Sequence, residues 1–321
     1  MGQGTQQMSI AAVVIGRNEG VRLVACLAAL EGVVDQIIYV DSGSTDGSIE
    51  VAKSVGAHVI SLNIQRPFTA ARARNSGIHA VTEDIDYIQF LDGDCALQQG
   101  WLETATQFLK DHPEAAVVCG RRRERFPENS VFNQLIDAEW NTPIGQAKAC
   151  GGDALMRKDA VLAVGGYRDS LIAGEEPEMC VRLRQKGWQI WRLDAEMTWH
   201  DAAMTHFGQW WKRSKRAGHA FAEGASLHGA APERHWVAET RRALFWGIGL
   251  PLLIGFLALI ISPWCLFFSL VYPIQVLRLS RRLGLVSAFY TTLSKFSEAQ
   301  GAMQYYLGRL RRGPSEIIEY K

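Results

Sequence analysis

Residues 10–19 read IAAVVIGRNE and residues 87–94 read YIQFLDGD, and these two stretches decide the fold class. Each is an apolar run that ends in charged or polar residues. A continuous apolar run is typical of a strand that is buried on both faces of a parallel sheet. We therefore predict strands of an α/β sheet over residues 10–15 and 87–91, the first of them buried on both faces. Ligands of such sheets bind at the carboxyl ends of the strands, so the polar residues after each strand are the candidates for function.

Between these two strands, apolar runs alternate with segments of helical periodicity. Strands are predicted over residues 36–40 and 58–62, and helices over residues 20–30, 45–55 and 69–81. Alternation of this kind with short loops implies parallel strands joined by right-handed crossovers. The sequence therefore predicts a Rossmann-like, mostly parallel wound sheet. No GxGxxG follows the first strand and the chain has no GxxxxGK[ST], so neither a dinucleotide site nor a P-loop is supported.

The composition excludes several classes of protein. The chain has 321 residues, of which 48% are hydrophobic and 21% charged, which is ordinary for a globular protein and unlike a disordered or collagen-like chain. Lys and Arg number 34 against 33 Asp and Glu, and this balance argues against a nucleic-acid partner. The mean hydropathy of −0.04 excludes a polytopic membrane protein. The 6 cysteines show no Cys-x-x-Cys spacing, so we expect reduced thiols rather than disulfides.

Polar motifs follow three of the predicted strands. Gly16, Asn18 and Glu19 follow the first, Asp41 opens the turn DSGSTDGS after the second, and Asp92-Gly93-Asp94 follows the fourth. Two carboxylates separated by one glycine can present oxygen ligands to Mg²⁺ or Mn²⁺ together with substrate phosphates. The alternative is purely structural: a turn with a helix N-cap for DSGSTDGS and a tight turn for DGD.

Taken together, the motifs resemble those of the family 2 glycosyltransferases of the GT-A fold over about residues 9–225. In chain order they are VVIGRNEG, YVDSGSTDGS, ARARNSG, FLDGD, GGDALMRKDAVLAVGGYRDS and GEEPEMCVRLRQKGW. The resemblance implies transfer of a sugar from a nucleotide-sugar donor (a UDP-, GDP- or dTDP-sugar) with inversion of the anomeric centre. It also implies that Mg²⁺ or Mn²⁺ neutralises the diphosphate leaving group.

The resemblance implies roles for individual residues. Asp41 contacts the nucleobase, and Arg74 faces the nucleotide or its phosphates. Asp94 holds the metal, and Asp92 contacts the ribose or the metal and its water. Arg72, two residues from Arg74 on the same predicted helix, points elsewhere. The remaining predicted residues of the donor site are Gly16, Asn18, Glu19, Gly152 and Asp153.

The acidic cluster Glu175-Glu176-Pro177-Glu178 matches the place of the family's ED pair. The resemblance makes Glu176 the catalytic base, although the family usually has Asp there, and Glu175 a supporting acid. Acidic residues at a helix start also favour the helix dipole, and we assign that role to Glu178. His200 has two interpretations: a further metal or phosphate contact, or a cap for a helix that begins at Asp201.

Residues 243–277 contain no Asp, Glu, Lys, Arg or His. A membrane-crossing helix needs about 20 apolar residues, so this run is too long for one helix and short for two. Ser262-Pro263 is a natural break, and arginines flank both ends, which places both on the cytoplasmic side. The predicted organisation is a glycosyltransferase domain over 1–225, a linker over 226–242, a membrane hairpin over 243–280, and an amphipathic helix and tail over 281–321 on the membrane surface. A hairpin buried in a dimer interface is the alternative.

Three functions compete at this stage. The first is sugar transfer to a hydroxyl of a lipid-linked or oligosaccharide acceptor on the cytoplasmic side of the inner membrane, in assembly of a bacterial exopolysaccharide, capsule or lipopolysaccharide. The second is a polyprenyl-phosphate glycosyltransferase, whose phosphate acceptor needs no general base. The third is a non-enzymatic membrane scaffold, which has no reason to keep both DGD and GEE. The donor sugar, the nucleobase, the acceptor, the linkage and a homo-oligomeric state stay open.

Overall fold

A computed structural model describes residues 8–311, which form two compact units. The sheet unit runs to Leu171 and continues over Glu175–Thr205, and the helical unit comprises Ile172–Gly174 and the chain from His206 onward. The predicted end of the glycosyltransferase domain at residue 225 falls 20 residues beyond this division, inside a helix of the second unit. Residues 312–321 of the predicted tail lie outside the described residues.

The sheet unit is built on one sheet in the order β3-β2-β1-β4-β8-β6-β9-β5, with β7 paired to β9. Its strands β1 to β9 are Ile10–Gly16, Gln36–Asp41, His58–Ser61, Tyr87–Asp92, Cys95–Leu97, Ala115–Glu124, Gly145–Ala147, Ala154–Arg157 and Gln189–His200. The strands β1 to β4 are parallel, as predicted, and each lies within one residue of its predicted bounds. The second half is mixed, because β8 runs antiparallel to both β4 and β6.

Helices cover the sheet, and the apolar strands form its core. The helices α1 to α7 are Val21–Ala28, Ser48–Ser54, Ala70–Ala80, Trp101–Asp111, Val131–Glu139, Lys158–Ala163 and Glu175–Gln185. All of β1 is buried, as its unbroken apolar run predicts for a central strand. The side chains of Tyr87, Phe90 and Trp101 are fully buried against it and its neighbours. All six cysteines are free thiols in this structure.

The helical unit contains the apolar stretch. Its helices α8 to α12 are Phe207–His228, Val237–Leu244, Leu250–Ile260, Val271–Leu283 and Leu285–Leu310. A π-helical segment over Phe245–Gly249 joins α9 to α10, so that Val237–Ile260 forms one continuous helix of 24 residues. The most apolar window of this helix has a mean hydropathy of 2.3, and 11% of that window is buried inside the protein. This helix is long and apolar enough to cross a membrane. It ends just before Ser262-Pro263, the predicted break, and a 3₁₀ segment then leads into α11.

The predicted amphipathic helix is α12, and one face of it packs along α8. Gly218 and Gly301 allow this close approach, because a Cβ on Gly218 would collide with the backbone of Glu298 and a Cβ on Gly301 with the carbonyl oxygen of Lys215. Small residues in this position let two helix backbones come nearer than larger side chains permit. The α8–α12 pair is thus a fixed part of the helical unit.

Replacing Gly301 with Ala should therefore destabilise the protein by about 1–3 kcal/mol, the usual cost of overpacking. Gly308→Ala is the matched control in the same helix, because no atom lies within 4 Å of a Cβ built there. Ala is favoured over Gly in a helix by about 1 kcal/mol, so the control should be neutral or stabilising. Thermal unfolding of the full chain in detergent measures both. Equal melting temperatures for the two variants would contradict the close packing.

Candidate active site

The carboxyl ends of β2, β1 and β4 are in register in the sheet. In the sheet register Gly16 is opposite Asp41, and Ile15 is opposite Asp92. The motifs that follow these strands therefore converge at one edge of the sheet, as expected for the carboxyl ends of parallel strands. The β8 strand enters beside β4 in the opposite direction, which brings the GGD loop before it to the same edge.

Two arginines bind three carboxylates at this edge. Arg74, on α3 and 2% exposed, places Nη1 2.6 Å from Glu175 Oε1 and Nη2 2.7 Å from Asp92 Oδ1. Arg122, on β6, places Nη2 2.8 Å from Asp153 Oδ1 and 3.8 Å from Asp92 Oδ2. Burial alone would lower the pKa of Arg74, but Asp92 and Glu175 raise it well above the ordinary value. Both guanidiniums are therefore held as cations beside the DGD motif.

The GGD loop fits this cluster only because it contains glycine. A Cβ on Gly152 would lie 2.8 Å from Arg74 Nη2 and 3.0 Å from Asp92 Oδ2. The next residue, Asp153, is 1% exposed and accepts hydrogen bonds from the backbone N–H of Asp92 and from Thr198 Oγ1. Both predicted residues of this loop thus meet the residues at the end of β4.

Asp94 and His200 form a separate buried pair. His200 Nε2 lies 3.4 Å from Asp94 Oδ1, and His200 Nδ1 lies 3.6 Å from Glu124 Oε2 on the other side of the ring. The Cys95 thiol is within 4.8 Å of the ligand atoms of both Asp94 and His200. A carboxylate on the Nδ1 side favours the tautomer that leaves Nε2 as a metal ligand. Carboxylate oxygen and imidazole nitrogen suit Mn²⁺, so these residues fit the implied ion.

The Asp92 carboxylate faces Arg74 and Arg122, and its predicted contact with the metal stays a prediction. One prediction about this motif needs correction. The helix-cap interpretation of His200 is wrong, because β9 ends at His200 and the next helix begins only at Phe207.

The loops after β1 and β2 are bound to each other. Asn18 adopts a positive φ of 55°, accepts from the backbone N–H of Thr45, and donates its own N–H to Ser44 Oγ. Asp41 is 1% exposed and accepts from the N–H groups of Gly43 and Ser44 and from the hydroxyl of Tyr39. These hydrogen bonds are the ones expected if Asp41 stabilises a turn, which was the structural alternative. The predicted contact of Asp41 with a nucleobase stays a prediction.

Glu19 and Arg72 bind residues near them in the chain. The Glu19 carboxylate forms an ion pair with Arg22 at 2.7 Å. The Cγ of Glu19 lies 3.2 Å from a Cβ built on Gly16, so the Glu19 side chain packs against the end of β1. Arg72 binds three backbone carbonyl groups between residues 63 and 67 and points away from the cluster, as expected.

The two adjacent acids of the GEE motif point in different directions. Glu175 belongs to the Arg74 cluster, whereas Glu176 is 4% exposed. Glu176 Oε1 accepts from the backbone N–H of Cys150 and from the thiols of Cys150 and Cys180, each at 2.8 Å. Burial raises the pKa of Glu176, although these three donors lower it in part. Its role as the base stays a prediction.

Glu178 has a structural role that differs from the predicted one. It is 1% exposed, and both of its oxygens are bound by Arg182, four residues later, at 3.1 and 2.7 Å. Arg168 Nε adds a contact at 3.4 Å. Glu178 is therefore a buried ion-pair residue, not a surface acid that acts through the helix dipole alone.

The comparisons with known proteins concern the family and the fold. Residues 12–159 match the family model described as glycosyl transferase family 2. Residues 12–159 are therefore a family 2 glycosyltransferase domain. The matched region contains Asp41, Arg74, Asp92, Asp94 and Asp153 and ends before the GEE motif and His200.

Individual relatives are similar at low identity. The pre-mycofactocin glycosyltransferase of Mycobacterium tuberculosis is 26% identical over 238 residues, which cover 70% of this chain and 49% of that protein. The succinoglycan biosynthesis protein ExoA of Rhizobium meliloti is 26% identical over 171 residues, 50% of this chain and 52% of that protein. The chain thus spans about half the length of the curated relatives it matches.

Among solved structures, the mannosyltransferase PcManGT of Pyrobaculum calidifontis, in complex with GDP-Man and Mn²⁺, is similar with a TM-score of 0.64 at 15% sequence identity. The match covers 93% of this chain and 88% of that chain. This likeness confirms the GT-A fold of the glycosyltransferase.

Two residues of the glycosyltransferase site were not predicted from the sequence. Arg122 joins Asp92 and Asp153, and its guanidinium lies 5.2 Å from the ring of Trp140. Glu124 is 2% exposed and accepts from the backbone N–H of Ala202 while it faces His200. The run Arg121-Arg122-Arg123-Glu124, at the polar end of the apolar strand β6, was the available signal.

The two buried acids of α7 give opposite expectations for stability. Glu178→Gln should cost about 3–5 kcal/mol, because it breaks a buried ion pair and leaves Arg182 without its carboxylate. Glu176→Gln should raise the melting temperature at pH 7. Folding raises the pKa of the Glu176 carboxyl above the value near 4.5 that it has in the unfolded chain. Such a group stabilises the folded protein at a pH below the unfolded pKa and loses this contribution as the pH rises through the folded pKa, whereas Gln carries no charge at any pH.

Thermal unfolding of both variants between pH 4.5 and 7.5 measures the difference. The advantage of Glu176→Gln over the wild type should shrink as the pH falls. An equal loss of stability in the two variants at pH 7 would contradict the charge cost assigned to Glu176.

Proposed function

We propose that the protein is an inverting, metal-dependent glycosyltransferase that transfers a sugar from a nucleotide-sugar to a hydroxyl of a lipid-linked glycan. One observation carries the proposal: the folded chain brings a buried Asp94–His200 pair and two guanidiniums to the same strand end. An acid–imidazole pair suits a divalent cation, and guanidiniums suit the oxygens of a diphosphate. The combination is what a nucleoside diphosphate leaving group requires.

The donor is held by residues at the end of β4. Asp94 and His200 are the residues that would hold Mg²⁺ or Mn²⁺, which when bound stabilises the negative charge of the departing diphosphate. Arg74 and Arg122 are charged at neutral pH and orient Asp92 beside the same group. Gly152 lets the loop backbone approach closely, so that the sugar can lie against the GGD loop.

The acceptor side is assigned to the GEE motif. We assign Glu176 as the base that takes the proton of the acceptor hydroxyl. As the proton leaves, the hydroxyl oxygen bonds to the anomeric carbon of the sugar, and the bond from that carbon to the diphosphate breaks. A raised pKa brings a carboxylate closer to the operating pH, which improves a base. Because Glu176 is 4% exposed, binding of the acceptor has to uncover it. Glu175 holds Arg74 in place.

The setting follows from the helical unit. The 24-residue apolar helix and the arginines on both sides of residues 243–277 support attachment to the cytoplasmic side of the membrane. The similarity to a succinoglycan biosynthesis protein supports polysaccharide assembly. An acceptor carried on a lipid fits both observations.

Asp94→Asn tests the metal site. The variant loses a charged ligand, so binding of a nucleoside diphosphate should become weak and nearly independent of Mn²⁺. Isothermal titration of UDP and GDP, each with and without Mn²⁺, measures this effect. Asp111→Asn, at the exposed end of α4, is the control and should bind as the wild type does. Unchanged metal-dependent affinity in Asp94→Asn would remove Asp94 from the site.

Glu176→Gln tests the base. Transfer should fall by about 10²–10⁴-fold in kcat, because the amide cannot accept the proton, while donor affinity stays nearly unchanged. Glu103→Gln, exposed on α4, is the control. Glu175→Gln should instead weaken donor binding, since Arg74 loses a partner. Full activity of Glu176→Gln with a polyprenyl phosphate as acceptor would favour the polyprenyl-phosphate alternative, because a phosphate acceptor needs no base.

A further inference from the structure

The helical unit has an open cavity that the proposed chemistry does not use. Its volume is about 820 Å³, and its lining residues come from α8, the π-helical segment and α12. Ligand sites typically measure about 300–1,000 Å³, so this one is large enough for a small ligand or for part of a long one.

The lining is cationic at some points and apolar at others. Lys215 and Arg311 are the charged residues of the lining, and no carboxylate lines the cavity within the described residues 8–311. The apolar and aromatic part of the wall comes from Trp211, Ile248, Phe296, Met303, Tyr305 and Leu307. Two cations without an acid favour an anion, and the apolar wall favours hydrocarbon next to it.

Polar side chains in the wall add neutral hydrogen-bonding groups. Gln304 Oε1 is buried and has no hydrogen-bond partner in the part of the chain that the structure describes, which leaves it to accept from a ligand. Gln300 Oε1 accepts from Trp211 Nε1 at 3.1 Å, which leaves its amide N–H groups as donors. His219 is 2% exposed, and burial, followed by the charge of Arg216, lowers its pKa to about 4. It is therefore neutral at pH 7.

The cavity lies beside the first part of the apolar run over residues 243–277. Gly247 and Ile248, in its wall, belong to the π-helical segment between α9 and α10. Arg241 and Arg242 precede this segment, and the exposed apolar residues follow it. π-Helical turns occur frequently at functional sites. If Arg241 and Arg242 lie at a bilayer surface, Gly247 and Ile248 lie about 8–9 Å deeper at about 1.5 Å per residue, where the headgroup layer meets the hydrocarbon.

We propose that this cavity binds the phosphate headgroup of the lipid that carries the glycan acceptor. Lys215 and Arg311 contact the phosphate oxygens, and the aromatic and apolar wall contacts the first part of the hydrocarbon chain. The ligand class is a long-chain prenyl phosphate or diphosphate. This inference rests on the proposed function for the identity of the lipid, but its test does not depend on sugar transfer.

The test is equilibrium binding to the full chain in a neutral detergent. The ligands are a polyprenyl phosphate, the matching polyprenol, inorganic phosphate and a phosphatidylglycerol. The polyprenyl phosphate should bind at least about tenfold more tightly than each of the other three, since only it combines a phosphate monoester with a prenyl chain. Equal binding of phosphatidylglycerol would show a general anionic-lipid site, and equal binding of inorganic phosphate a site without lipid preference; either result would overturn the proposal.

The variant Lys215→Gln/Arg311→Gln should lower affinity for the polyprenyl phosphate by about tenfold or more, because two charge-assisted contacts are lost. Lys212→Gln/Arg309→Gln is the matched control on the same two helices, and neither residue lines the cavity. Equal affinity in the two double variants would also overturn the proposal. Asp94→Asn separates the two proposals, because it should abolish metal-dependent donor binding and leave lipid binding intact.

Discussion

The buried guanidinium of Arg74 is the interaction on which the rest of the site depends. It joins three segments that are far apart in the chain: α3, the end of β4 and the start of α7. A cation that is 2% exposed carries a desolvation cost of several kcal/mol, which only well-placed carboxylates offset. Asp92 and Glu175 supply them, and Gly152 leaves the space in which they meet. Removal of either carboxylate would leave this buried cation with one partner in place of two.

The charges around this contact explain why a cation fits the site. Asp92, Asp153 and Glu175 face two guanidiniums, and Asp94 and Glu124 flank His200 next to them. The carboxylates therefore outnumber the arginines. A diphosphate would add to the negative charge, so its binding requires a further positive charge close to it. The excess of carboxylates at the end of β4 and the negative charge of the diphosphate thus both call for a metal cation in the proposed reaction.

The sequence predicted the parallel half of the sheet and the residues that follow it, because long apolar runs mark buried strands and fix where they end. The antiparallel β8 follows β7 with no helix between them, so the alternation of strand and helix that predicted β1 to β4 does not extend to it. Arg122 and Glu124 escaped prediction for a related reason. The pairing of β6 with β9 shifts register between Cys119 and Arg122, so alternation along the strand does not tell which side chains face the site. The ion pair of Glu178 was predictable, since Arg182 lies four residues later on the same helix.

The helical unit raises a different physical problem, which is what covers its apolar surface. Leu259 is 86% exposed, Ile261 69% and Trp264 75%, all within a few residues. Water-soluble monomers rarely expose apolar patches larger than about 300–600 Å², so a surface of this kind calls for a cover. A lipid bilayer and a second copy of the chain would both serve. The arginines that flank residues 243–277 favour the bilayer, because charged flanks on both sides of an apolar run are placed at the membrane surface, whereas a dimer interface needs none. Under the proposed function, a chain covered in this way takes its donor from water and its acceptor from the membrane.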